Sequence, residues 1–136
     1  MAYQFSQKSL QRLNGVDVQL QELMKRAIAI SPIDFGIPQF GGLRTAEDQK
    51  DLYEKGLSKC DGYRIKSRHQ SGKAVDVYAF VNGKASWDKV HLAVIAGVIL
   101  GEAKRMQIDM VWGGTFGSKM FKGWDMPHFE LKDQEK

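Results

Sequence analysis

The sequence predicts an α+β fold: helices toward the N-terminus, a small, largely antiparallel sheet toward the C-terminus, and one long helix between strands. Three observations lead there. Between Val18 and Ile28 the apolar residues Leu20, Leu23, Met24, Ala27 and Ile28 recur at three and four, the stripe of an amphipathic helix. From Lys73 to Val81 the pattern turns strand-like and runs into the turn signal Asn82-Gly83, while IDMVW and PHFEL nearer the C-terminus also read as strands. Between these strands, about Trp87 to Met106 reads as a helix.

Each element has its punctuation. Ser31-Pro32 stops the first helix, because the residue before proline disfavours helical backbone. FGIPQF is rich in β-formers but holds Pro38, so it reads as a short edge strand leading to Gly41-Gly42. Thr45 caps a second helix, answered by Asp48, that runs to about Lys55-Gly56. Residues 57–72 are polar and basic and are broken by Gly62 and Gly72, so they form a long loop of the kind that carries function. Ser86 is the expected cap of the long helix, with Val90, Ala93, Val94, Gly97, Val98 and Ala103 on its buried side. Gly113-Gly114 ends the IDMVW strand, and KDQEK is a frayed tail.

At 136 residues and 43% hydrophobic, the chain can bury one core but is too short to divide into two, so residues 1–136 are expected to form a single domain. The net charge of +4 favours polyanionic surroundings such as nucleic acid, anionic lipid or a bacterial wall without choosing among them. One cysteine, Cys60, excludes an intrachain disulfide framework. The N-terminus has no apolar signal-peptide core, and the apolar stretch Ala93 to Leu100 is too short to span a bilayer. Synthesis in a cytoplasm with no stable membrane association is the expectation, and monomer is the default.

The chemistry gathers in two segments. In SRHQSGKAVDV, residues 67–77, strand alternation puts Ala74, Asp76 and Tyr78 on one face, beside the loop bearing His69. In the last strand His128 and Glu130 share a face. If the two strands are neighbours, His69, Asp76 and His128 converge, and two imidazoles with one carboxylate suit a divalent ion of borderline softness such as zinc, with the fourth position open for water. Asp125, just before Pro127 and His128, is then the carboxylate placed to deprotonate that water. Taken singly, each residue has an ordinary alternative: a solvated loop His69, an Asp76 paired with Arg68 or Lys73, a half-buried His128.

The segment Ser67-x-His69-x-x-Gly72-x-Ala74-x-Asp76 resembles the S-x-H-x-x-G-x-A-x-D signature of the zinc D-Ala-D-Ala carboxypeptidase and L-alanyl-D-glutamate endopeptidase family. Trp112-Gly113-Gly114-x-Phe116 and Asp125-x-x-His128-Phe129-Glu130 are similar to that family's W-G-G and closing D/E-x-x-H motifs, and Gly42-Leu43-Arg44-Thr45 to its G-x-R-T segment. The matches keep their order over most of the chain, within residues 42–131. The resemblance implies one catalytic zinc on His69, Asp76 and His128, Asp125 as base, and Arg44 as the cation steadying the substrate carbonyl or carboxylate. Ser67 would order the metal loop, Glu130 would orient a ligand, and Trp112 and Trp124 would line the groove or, for Trp112, pack in the core.

The absence of a signal or a separate wall-binding module is similar to the phage endolysin branch, which cuts L-alanyl-D-glutamate bonds in peptidoglycan. Such an enzyme would be made in the host cytoplasm and reach the wall after membrane permeabilisation. The segment before Asp125, GTFGSKMFKGW, offers no acidic side chain, so no calcium dependence is expected. The alternatives are a D-alanyl-D-alanine carboxypeptidase or dipeptidase of the same family, and a non-catalytic zinc-containing wall-binding module, against which Asp125 argues.

Other classes fit less well. A thermolysin-like site is disfavoured because no H-E-x-x-H occurs and His91 has no partner at helical spacing. Cys60 lies in a polar loop without a nucleophile elbow. Lys and Arg are scattered rather than clustered on one helix, which speaks against nucleic-acid binding.

Overall fold

The computed structural model describes residues 2–115 and 125–132. In chain order the elements are α1 (Gln7–Leu13), α2 (Val18–Ile30), β1 (Asp34–Gly36), α3 (Ala46–Glu54), β2 (Ala74–Asp76), β3 (Tyr78–Val81), β4 (Lys84–Ser86), α4 (Lys89–Arg105), β5 (Met110–Trp112) and β6 (His128–Leu131). The α+β fold is the one expected, but its strands form two antiparallel three-stranded sheets, ordered β1-β3-β4 and β2-β6-β5. The stretch expected as a single strand from Lys73 to Val81 divides at Val77: its N–H still donates to Pro127 O at 2.9 Å, in register with β6, and from Tyr78 onward the chain pairs with β1 instead. Tyr78 therefore lies in a different sheet from Asp76.

The stripe on α2 is buried as its periodicity predicts, and the helix packs against α4. Phe35, Val75, Val77, Ala79 and Phe129 bring the inner faces of both sheets into the same apolar cluster. Thr45 and Asp48 form the expected reciprocal cap: Thr45 Oγ1 accepts from Asp48 N, and the Asp48 carboxylate accepts from Thr45 N. Among the described residues no helix is long and apolar enough to cross a membrane.

Several expectations need correction. Helix α1 was not anticipated; Ser6 caps it, and Arg12 Nη1 in its last turn donates to Ile37 O. Strand β1 covers Asp34–Gly36 rather than FGIPQF, and Pro38 falls outside it. Ser86 belongs to β4 and the cap of α4 is Asp88, because Asn82 and Gly83, at φ 53° and 76°, make a tight hairpin that pulls residues 84–86 onto β3.

The buried face of α4 is Leu92, Ile95, Ala96, Ile99 and Ala103; Val90 is 70% exposed, and Ala93, Val94 and Gly97 also face outward. This helix is apolar almost all round, so periodicity could not select a face. Packing against α2 and the sheets turns inward the side carrying the largest aliphatic groups.

Candidate active site

Strands β2 and β6 are antiparallel neighbours, and their register sets Asp76 directly opposite His128 and Ala74 opposite Glu130. The alternate residues Val75 and Phe129 point into the core, so the polar side chains share the other face. His69 arrives from a 3-10 turn, Arg68–Ser71, whose N-terminus is capped by Ser67: its Oγ accepts from His69 N at 3.2 Å. Gly72, in the left-handed region, closes the turn and returns the chain to β2.

The segment 41–44 runs alongside this turn and is stitched to it. Asp76 N donates to Gly41 O at 2.8 Å, His69 Nδ1 to Gly42 O at 2.9 Å, and Arg44 N to His69 O at 3.1 Å. Gly42 has to be glycine for this approach, since a Cβ there would lie 1.8 Å from Arg12 O at the end of α1. Gly113 serves the other side in the same way: its Cβ would lie 2.1 Å from Asp125 O.

Three atoms converge. His69 Nε2 is 3.3 Å from both His128 Nδ1 and Asp76 Oδ1, and His128 Nδ1 is 3.1 Å from Asp76 Oδ1. The outward nitrogens are already committed, His69 Nδ1 to Gly42 O and His128 Nε2 to Glu130 Oε1 at 2.8 Å, so lone pairs face one another at the centre. A tetrahedral ion with bonds of about 2.0–2.1 Å sets its ligand atoms about 3.3 Å apart, which these separations match. The donor set therefore fits a divalent metal, and His69, Asp76 and His128 could hold one.

The electrostatics agree with a site built for positive charge. Burial disfavours the Asp76 carboxylate, but the hydrogen bonds from His128 and His69 outweigh it and hold its pKa well below the usual range. Burial likewise opposes charge on His128, yet bonding to Asp76 and Glu130 pushes its pKa up to about 9 in the metal-free chain. Asp125 moves the other way: burial raises its pKa, only partly offset by His128.

A cleft of about 330 Å³ opens over these atoms, lined in part by Arg44, Ser67, Asp125 and Glu130 and by Leu52, Leu57, Ser58 and Cys60 from α3 and the loop after it. Arg44 is anchored rather than solvated. Its Nε donates to Phe40 O at 2.7 Å, Nη1 to Gln49 Oε1 at 3.0 Å and Nη2 to Asp76 Oδ2 at 3.1 Å, so two of its five N–H groups remain uncommitted by these bonds. Trp112 does not line the cleft. It packs against the core and its Nε1 donates to Met126 O at 2.7 Å, which ties β5 to the turn carrying Asp125. Trp124, Phe116 and the end of the chain lie outside the described residues.

Gln49, fully buried beside Arg44, was missed in the sequence. The available signal was a polar residue three positions from Ala46 and three from Leu52, on the side of α3 that turns inward.

Comparison with known proteins agrees with this geometry. The family model described as phage L-alanyl-D-glutamate peptidase matches residues 1–132. The L-alanyl-D-glutamate peptidase of Escherichia phage T5 is 32% identical over 139 residues, covering 96% of this chain and 99% of that protein. The crystal structure of the Serratia marcescens L-Ala D-Glu endopeptidase ChiX superposes with a TM-score of 0.79 at 30% identity, covering 96% of this chain and 91% of that one. With the family model spanning nearly all of its length and a full-length relative under the same name, the chain belongs to the phage L-alanyl-D-glutamate peptidase family.

Proposed function

We propose that the chain is a zinc-dependent endopeptidase that hydrolyses the L-alanyl-D-glutamate bond of peptidoglycan stem peptides and serves as a phage endolysin. The observation that carries this reading is the convergence of His69 Nε2, Asp76 Oδ1 and His128 Nδ1 at 3.1–3.3 Å with their outer atoms already bonded, set in the floor of an open cleft. A zinc ion bound there supplies Lewis acidity toward water and the scissile carbonyl.

The chain's own groups do the rest. Asp125, in the same cleft with its proton affinity raised by burial, takes the proton from the attacking water and returns it to the leaving amine. The uncommitted N–H groups of Arg44 are donors for the carbonyl oxygen as it gains negative charge, an effect worth about 3 kcal/mol for one well-placed donor. Gly42 O and Glu130 keep the imidazoles of His69 and His128 in the required tautomer and orientation, while Ser67 Oγ fixes the turn that carries His69 through its backbone N–H.

Mass spectrometry of digested murein should show new N-terminal D-glutamyl ends. Activity should disappear with a chelator, return with Zn²⁺, and fall about 10²–10⁴-fold in Asp125→Ala. Cleavage at another bond, or an Asp125→Ala variant as active as wild type, would contradict this reading.

A further inference from the structure

Gln49 belongs to none of the motifs that define the site, yet its side chain is 0% exposed and has three partners. Oε1 accepts from Arg44 Nη1 at 3.0 Å, and Nε2 donates to Ser58 Oγ and to Cys60 O, both at 2.9 Å. Ser58 Oγ also accepts from Cys60 N at 3.1 Å, so the 58–60 segment wraps around the amide nitrogen. Ser58 and Cys60 line the cleft, and Arg44 bonds the Asp76 oxygen that faces away from the histidines. One amide therefore stands between the carboxylate of the metal site and a wall of the substrate cleft.

The chemistry of the two ends differs. A guanidinium is a rigid planar fork, so acceptors at Phe40 O and Gln49 Oε1 fix the direction of Nη2 toward Asp76. An apolar side chain of the same length would leave Arg44 Nη1 without that acceptor in a half-buried setting, where an unmade hydrogen bond is costly. At the other end, the wall segment would lose the two bonds it receives from Gln49 Nε2.

We propose that Gln49 is a positioning residue that clamps Arg44 toward Asp76 with its carbonyl and the 58–60 wall with its amide nitrogen, so that metal retention and substrate fit depend on one side chain. The proposal rests on the reading of His69, Asp76 and His128 as the metal site.

The test uses the full chain and measures Zn²⁺ affinity by competition with a chromogenic chelator, together with kcat and KM on murein peptides. Gln49→Met removes both ends and should lower zinc affinity about 10–100-fold, the usual cost of losing a group that orients a ligand, and raise KM. Gln49→Glu restores the acceptor for Arg44 but neither donor, so zinc affinity should return toward wild type while KM stays raised. Wild-type zinc affinity in Gln49→Met, or equal loss of it in Gln49→Glu, would overturn the clamp. If circular dichroism shows that Gln49→Met does not fold, Gln49→Glu decides alone: a wild-type KM or a lost zinc affinity overturns the proposal. A wild-type chain inert on murein, with zinc affinities in the expected order, would sink the proposed reaction and leave the clamp standing.

Discussion

The two sheets of this protein share one continuous stretch of chain, β2 and β3, yet the candidate site lies on only one of them. Both are antiparallel, three-stranded and packed on the same apolar cluster. In the β1-β3-β4 sheet the outer face is left to water, with Phe80 and Trp87 substantially exposed and Tyr78 against Trp87 at a ring-centroid distance of 5.9 Å. In the β2-β6-β5 sheet the corresponding face is covered by the 41–44 segment and the 67–72 turn, which bring His69, Arg44 and, behind them, Gln49 onto Asp76 and His128. The difference is not in the strands. Loops pressed onto one polar face leave it open only at the cleft, so the side chains they bury there must satisfy one another.

Substituting one residue on each outer face separates the roles of the two sheets most clearly. His128→Ala removes one of the three candidate metal ligands and should reduce kcat/KM by at least about 10³-fold, on the scale of losing a group essential to catalysis. Phe80→Ala, on the water-facing side of β3, should change kcat/KM by less than about 2-fold and stability only slightly. Comparable losses from both would mean that the second sheet also takes part.

The core beneath both sheets offers the next largest effect. Ile95→Ala should destabilise by about 2–5 kcal/mol, whereas Val90→Ala, on the exposed side of α4, should cost about 0.5 kcal/mol or less. Denaturant titration compares them directly, and equal costs would mean that α4 is rotated from the face described.

The covered face should also respond to pH where the open one does not. In the metal-free chain the His128 pKa lies near 9 rather than 6.5. A raised folded-state pKa adds stability that is fully present below about 6.5 and is lost as pH rises through about 9. The thermal midpoint of the metal-free chain should therefore fall across that window, and affinity for an added divalent metal ion should rise as the proton leaves. A midpoint and an affinity both flat between pH 6 and 9 would contradict the coupling.

The smallest effect lies at the seam between α2 and the active sheet, where Lys73 Nζ meets Asp17 Oδ2 at 2.6 Å. The hydrogen bond to Lys73 lowers the Asp17 pKa against the opposing effect of burial, so its contribution is present above the ordinary carboxylate range and is lost as pH falls below it. Lys73→Met should cost about 0.5–1 kcal/mol near neutrality and almost nothing in acid.

Much of the site was legible in the sequence because its elements are local. The 67–77 segment holds its cap, its turn-closing glycine and its strand within eleven residues, so Ser67, His69 and Asp76 could be placed relative to one another before any fold was known. The Thr45–Asp48 cap and the stripe of α2 are local for the same reason. Arg44 was legible as a motif residue but not as the partner of Asp76, 32 positions away. For Trp112 the sequence leaves groove and core equally open, because a tryptophan serves either; in the structure it packs against the core and donates to Met126 O.

Short-range features were readable from the residues alone: the Thr45–Asp48 cap, the stripe of α2, the 67–72 turn closed by Gly72, and the order of the motifs that carry the candidate ligands, all set by interactions within a few residues. The tertiary structure decided the division of one strand between two sheets at Val77, the inward face of α4, the need for glycine at position 42 against α1, and the burial of Gln49. Each of those depends on surfaces from distant parts of the chain meeting, and close packing selects among arrangements that local preference leaves nearly equal in energy.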